Sequence, residues 1–268
     1  MNGGIKGRRA LITGASSGIG ADMARRLAEE GANLVLVARR EDRLEALADE
    51  LIAAHGVEVD VLPADLTRPD APRLLHDRTE AAGKPIDLLI NNAGFGDYAP
   101  FLDVGWERYA DLLRVNAVAL TELTRRFLPD MVSRGRGQVV NVASTGAFMP
   151  VPDFAVYAAT KAYVLSFSEA VDEELRGTGV RVQCVCPGGT HTGFLEVAGQ
   201  KTKPSGERFM MSSRKCADLA IDGVLRGKRT IVTGWLNWLT TWAARWIPRA
   251  WAPRLARVSM AQAVERTR

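Results

Sequence analysis

Short apolar runs punctuate the chain at 8–13, 33–38, 57–62, 87–90, 138–143 and 180–186, and each reads as a buried strand. Amphipathic stretches of helical spacing lie between them. They cover 22–31, closed by Gly31, then 41–54, a segment beginning near Pro69, a long stretch over 104–133, and one through Tyr157 and Lys161 to about 176. A short seventh strand is expected at 230–233. Strands that alternate with helices predict an α/β architecture, a doubly wound parallel sheet of about seven strands with helices on both faces. No repeat, low-complexity tract or long linker interrupts the pattern before Gly227. We therefore expect a single domain over 1–268, with a core at about 6–232 and a helical extension over 233–268. Ligands of such sheets bind beyond the carboxyl ends of the strands.

Composition narrows this only slightly. Hydrophobic residues are 47% and charged residues 25%, the balance of an ordinary soluble protein with a full core. Cys184, Cys186 and Cys216 are an odd, sparse set without metal-ligand spacing, which argues against a disulfide scaffold and against zinc. A reducing compartment fits, and Cys184 and Cys186, alternating with valines, read as core. No apolar stretch precedes the first strand, so no signal or transit peptide is expected. No apolar run reaches the ~20 residues that span a bilayer. These features together suggest a cytoplasmic protein. The net charge of +4 is uneven: eight Lys/Arg and one acid, Glu265, lie from Lys228 onward. The rest of the chain is mildly acidic, so a nucleic-acid partner is not expected.

The ends of the strands carry the candidate chemistry. After 8–13 comes Gly14-Ala-Ser16-Ser17-Gly18-Ile19-Gly20, then a helix. Glycines there let a diphosphate approach backbone amides, and the helix N-terminus favours an anion. The spacing departs from the commoner Gly-x-Gly-x-x-Gly fingerprint. The second strand ends at Ala38-Arg39-Arg40 with no acid before Glu41. A guanidinium suits a 2′-phosphate, whereas an acid would hold ribose hydroxyls, so NADPH is expected rather than NADH. Asp65 and Leu66 follow the third strand, where an adenine could rest; Asp65 could equally cap the helix near Pro69. Asn91, Asn92, Ala93 and Gly94 follow the fourth. Small residues there admit backbone close to a ligand, and the amides can bridge neighbouring strands. Asn116 sits in mid-helix, an unfavourable place for an amide unless it is used. Ser144 ends the fifth strand, and Tyr157 and Lys161 stand one helical turn apart. A fixed ammonium beside a phenol favours phenolate and lowers its pKa from ~10. The Tyr-x-x-x-Lys spacing alone is common in helices and decides nothing.

Taken together and in this order, Thr13-Gly14-x-x-x-Gly18-Ile19-Gly20, Asp65, Asn91-Asn92-Ala93-Gly94, Asn116, Ser144, Tyr157-x-x-x-Lys161 and Pro187-Gly188-x-x-x-Thr192 resemble the short-chain dehydrogenase/reductase family. The likeness is to its single-domain Ser-Tyr-Lys type, with a Rossmann-type fold, and covers about residues 6–232. The resemblance implies that Tyr157 is the acid/base, that Lys161 depresses its pKa and holds the nicotinamide ribose, and that Ser144 binds the substrate carbonyl. It implies that Asn116 holds a water in a proton relay, and that Pro187, Gly188, Thr190 and Thr192 contact the nicotinamide. His191, in the same loop, matches no family position and reads as a lone loop histidine.

Phe95, Tyr98, Phe148, Met149, Val151, Phe194 and Leu195 are expected to line a pocket for an apolar ketone, aldehyde, acyl chain or alcohol. Residues 194–211 read as a mobile lid. In the extension, Trp235, Trp238, Trp242 and Trp246 recur at three- and four-residue steps and form one helical stripe, broken by Pro248 and Pro253. Arg245, Arg249, Arg254 and Arg257 accompany it. Two readings stand: the stripe packs on the domain or on a sister subunit, or it makes a peripheral membrane contact with Trp at headgroup depth. In either case it covers the substrate mouth, and a homodimer or homotetramer is expected. The leading function is an NADP(H)-dependent carbonyl reductase. An NAD-dependent alcohol dehydrogenase on the same scaffold and a non-catalytic NADP-binding module are the alternatives.

Overall fold

The computed structural model describes residues 4–207 and 209–267. In chain order the strands are β1 (Arg9–Thr13), β2 (Asn33–Ala38), β3 (Val59–Pro63), β4 (Leu88–Asn91), β5 (Gly137–Val142), β6 (Val180–Cys186), β7 (Thr190–His191), β8 (Gln200–Thr202), β9 (Met211–Ser212), β10 (Thr230–Val232) and β11 (Val264–Arg266). Seven of them form one sheet in the order β10-β6-β5-β4-β1-β2-β3, parallel throughout. The order reverses between β1 and β4, which opens a crevice at their carboxyl ends. The helices are α1 (Gly18–Glu29), α2 (Glu41–His55), α3 (Ala71–Asp77), α4 (Trp106–Leu113), α5 (Leu120–Ser133), α6 (Ala155–Glu174), α7 (Phe194–Val197), α8 (Pro204–Glu207), α9 (Ser213–Leu225), α10 (Trp235–Ala244) and α11 (Ala252–Ala263).

The central strands read as unbroken apolar runs because both faces are covered. In β2, Leu34 and Leu36 pack with α1, α2 and α9, while Val35 and Val37 pack with α3 and α5 on the other face. Each such fully buried side chain contributes roughly 1.5–3 kcal/mol.

Three elements differ from expectation. The long helix over 104–133 is interrupted by a π-helical turn, Arg114–Ala119, that contains Asn116. Such turns place a side chain where regular spacing would not. In the extension, Pro248 lies between the two helices, but Pro253 opens α11 rather than breaking it: a helix's first turn needs no proline N–H. The segment over 194–211 is pinned and not free-standing. β11 pairs antiparallel with β8, Lys203 N donates to the Ala263 carbonyl at 2.9 Å, and Ser205 Oγ donates to the Gln262 carbonyl at 2.6 Å. The C-terminal segment thus clasps residues 200–205.

Candidate active site

β1 delivers the chain into the glycine turn at the crevice. Gly14 has φ +70°, and a Cβ there would lie 2.9 Å from Ala93 Cα, so only glycine fits both the backbone and the neighbour. A Cβ at Gly20 would collide with the Asn92 amide and the Gly14 carbonyl. Gly20→Ala is expected to cost about 2–3 kcal/mol, or roughly 5–10 °C in Tm, as read by thermal unfolding.

The amides after β4 do the bridging their positions suggest. Asn92 Nδ2 donates to the Thr13 carbonyl at 2.9 Å, and Thr13 Oγ1 accepts from Asn92 N and Ala93 N. Buried Asn91 donates to Asn141 Oδ1 at 2.9 Å and to Thr124 Oγ1 at 3.1 Å, and Asn141 donates to Ser168 Oγ at 3.0 Å. This network ties β4, β5, α5 and α6 together directly beneath the site. Asn141 carried no signal of its own in the sequence beyond a polar residue inside an apolar strand.

Arg40 extends its guanidinium across the turn to Ser16 Oγ and Ser17 Oγ, each at 3.0 Å. Arg39 is exposed beside it. Asp65 does not cap a helix near Pro69: α3 begins at Ala71, and Asp65 Oδ1 accepts from Thr67 N and Thr67 Oγ1, closing its own turn. The Leu66 side chain is buried with Ala71 and Leu75, so only its backbone can face a ligand. The 187–192 loop closes the other side. Thr192 lies against Gly18, Thr145 N donates to the Pro187 carbonyl, and Thr190 Oγ1 donates to the Gly188 carbonyl. His191 pairs with Glu207 at 3.3 Å on the exposed side, away from the tyrosine.

Ser144, Tyr157 and Lys161 converge at the end of β5. Ser144 Oγ accepts from Gly146 N at 3.1 Å, and its hydroxyl lies near enough to Tyr157 to favour the phenolate. Lys161 is buried, its Nζ 5.6 Å from the Tyr157 ring centroid and donating to the Val142 carbonyl at 2.8 Å. Asp153, at φ +62°, turns the chain so that Phe154 stacks on Tyr157, with centroids 4.3 Å apart. Phe194 closes the other side at 5.4 Å. Apolar surroundings penalise charge, so burial pushes the Tyr157 phenol up to about 12; the Ser144 hydroxyl acts the other way. Burial likewise pulls the Lys161 ammonium down to about 8. In this arrangement burial is the largest influence on the Tyr157 phenol. The ammonium is committed to a carbonyl, and desolvation dominates.

Asn116 is fully buried, and its amide is engaged at both ends. Oδ1 accepts from Phe95 N at 3.1 Å, and Nδ2 donates to the Phe95 carbonyl at 2.9 Å and to Thr160 Oγ1 at 3.3 Å. It fastens the loop after β4 to the helix that bears Tyr157.

Tyr98, Val151 and Phe154 pack with Tyr157, joined by Phe95, Met149 and Phe194. Phe148 belongs to a different cluster, with Leu120 and Val164. Leu195 is half-buried outside both clusters. Two residues from the extension, Met260 and Val264, complete the apolar wall. A cleft of about 610 Å³ opens nearby between Asp97, Arg108, Val197 and Arg266, without reaching Tyr157.

A glycine turn at a helix N-terminus, set at the reversal of a parallel sheet with a Ser-Tyr-Lys cluster beside it, defines a dinucleotide-binding oxidoreductase scaffold. The chain belongs to the short-chain dehydrogenase/reductase family: residues 8–203 match the family described as short chain dehydrogenase. It is 36% identical over 216 residues to the very-long-chain 3-oxoacyl-CoA reductase of Bos taurus, covering 78% of this chain and 68% of that one. Among solved structures, it is similar to a short-chain dehydrogenase from Sphingobium yanoikuyae in complex with NADPH. The TM-score is 0.81 at 37% identity, covering 89% of this chain and 94% of that one. It is also similar to a short-chain dehydrogenase/reductase from Burkholderia phymatum in complex with NAD, with a TM-score of 0.80 at 26% identity and coverage of 89% and 93%.

Proposed function

We propose that the protein is an NADP(H)-dependent reductase of apolar ketones, aldehydes or acyl chains, with Tyr157 as its acid/base. One observation carries this reading: Tyr157, beside Ser144 and walled by Phe154 and Phe194, lies on the helix that also holds buried Lys161, its Nζ 5.6 Å from the Tyr157 ring centroid. The bare backbone at Gly14 and Gly94 fits a dinucleotide, because side chains there would fill the space beside Ala93, Asn116 and Lys161. The turn from Gly14 through Ser16, Ser17, Gly18, Ile19 and Gly20 would hold the diphosphate. Asp65, Leu66 backbone, Asn92, Ala93 and Gly94 would flank the adenosine side, and Pro187, Gly188, Thr190 and Thr192 the nicotinamide side. When bound, the nicotinamide supplies the hydride.

The protein's part is proton transfer and exclusion of water. At neutral pH a phenol pushed to about 12 is fully protonated, which suits a donor to a carbonyl oxygen gaining negative charge. Ser144 Oγ donates to the same oxygen. Lys161, charged below about 8, offsets the phenolate that Tyr157 becomes. Because the Asn116 amide is fully engaged, a relay water would meet its backbone carbonyl and not its side chain. The apolar wall favours a bulky apolar carbonyl compound, in keeping with the 3-oxoacyl reductase relative.

Cofactor choice is tested at the end of β2. Arg39→Ala is expected to raise the Kd for NADPH about tenfold or more, and that for NADH less than about threefold, since only NADPH carries the 2′-phosphate that the guanidinium would hold. Arg40→Ala also releases Ser16 and Ser17, so it should weaken both cofactors. Equal losses for the two cofactors in Arg39→Ala, measured by fluorescence titration, would refute the phosphate role and favour the NAD-dependent alternative.

A further inference from the structure

We propose that the extension docks the protein on an anionic lipid surface, through the tryptophan face of α10 and the arginines that follow it. The orientation of α10 is the reverse of a core helix. At about 100° per residue, Asn237, Thr241 and Ala244 share one side, and Trp235, Trp238, Leu239 and Trp242 the opposite one. The protein-facing side is the polar, small one. Asn237 Nδ2 donates to the Thr233 carbonyl at 2.7 Å and lies where a Gly188 side chain would be, and Thr241 is buried. The tryptophans face away: Trp235 is 73% exposed, Trp238 57%, Trp242 49%, Trp246 75% and Trp251 63%. Leu255 and Val258 of α11 are about half exposed as well. A helix built to pack on its own domain would place these residues inward.

Charge selects the occupant. Residues 230–264 contain no Asp or Glu. Arg245, Arg249 and Arg254 are exposed and form no ion pair among the described residues, and with no acid over 230–264 this side of the molecule stays basic. An unpaired basic set beside indoles matches a surface of anionic headgroups over hydrocarbon, where indole N–H groups stay wet and rings are buried. A second copy of the chain on the same face would set these arginines against one another. No helix among the described residues is long and apolar enough to cross a membrane, so α10 would lie in the interfacial plane. Its inner side backs Gly188 and the turn Thr145–Phe148. Docking would therefore set the loops around Ser144 just behind the bilayer surface, where apolar substrates partition.

The test is co-sedimentation of the full chain with vesicles of phosphatidylcholine alone or mixed with phosphatidylglycerol. We expect partitioning into the mixed vesicles to exceed that into phosphatidylcholine by about tenfold or more, and to weaken at high salt. Trp238→Ser/Trp242→Ser should lower it by about tenfold or more. So should Arg245→Gln/Arg249→Gln/Arg254→Gln, which leaves packing untouched. Thermal unfolding should be unchanged in both variants. The proposal fails if the wild type does not sediment with anionic vesicles, or if both variants partition as it does. It also fails if ultracentrifugation shows that the tryptophan substitutions split a dimer while no vesicle binding exists, which would assign the face to a second copy.

Discussion

Tyr157→Phe is expected to lower kcat for NADPH-dependent carbonyl reduction by about 10²–10⁴-fold, the range set by loss of a positioned general acid. The substitution removes one hydroxyl and little else. The ring stays stacked on Phe154 and flanked by Phe194, so the site keeps its shape. The Ser144 hydroxyl keeps the Gly146 amide. Cofactor affinity should change by less than about twofold, because the hydroxyl lies beside Ser144 at the end of β5 and not at the glycine turn. Unchanged turnover would remove Tyr157 from the proton-transfer step.

Lys161→Met should produce the opposite pair of effects on function and stability. Turnover should fall about 10²-fold or more, since no other cation among the residues packed around Tyr157 can offset a phenolate. Stability should rise. A buried ammonium held by a single carbonyl is disfavoured in the folded state, which is why its pKa falls to about 8 from 10.5. A cation whose folded pKa is depressed destabilises the fold wherever both states carry the charge, below about pH 8. That cost fades as pH rises from 8 to 10.5. Removing it is worth on the order of 2 kcal/mol at neutral pH, roughly 4–8 °C in Tm. The gain over wild type should vanish above pH 10.5. By the same ionisation, wild-type reduction should decline as pH climbs through about 8, and a profile that stays flat to pH 10 would contradict the role given to Lys161.

These effects depend on geometry that local sequence conveys unevenly. Strand positions were legible because buried parallel strands are apolar on both faces, and the glycine turn because few other residues allow its backbone. Asn91 and Asn92 were legible as bridges, since amides at a strand end have little else to bond. The burial of Tyr157 was not: spacing places Lys161 a turn away, but Phe154 stacked on the ring and Phe194 beside it are brought there by the turn at Asp153 and by a distant helix. Met260 and Val264 were missed for a related reason. Their part in the wall follows from β11 pairing with β8, more than 60 residues earlier in the chain, and no periodicity records such a pairing. The tryptophan stripe was visible as a stripe, but its outward direction was not, because an apolar helical face normally predicts the side that packs.

The direct test of hydride transfer coupled to Tyr157 is to supply the full chain with NADPH deuterated at the transferable position of the nicotinamide, and a panel of apolar ketones and aldehydes. Product mass is then read by spectrometry. The expected result is an alcohol carrying one deuterium on the former carbonyl carbon, formed by the wild type and at least about a hundredfold more slowly with Tyr157→Phe. Alcohol without deuterium, or deuterated alcohol formed equally by the variant, would contradict it.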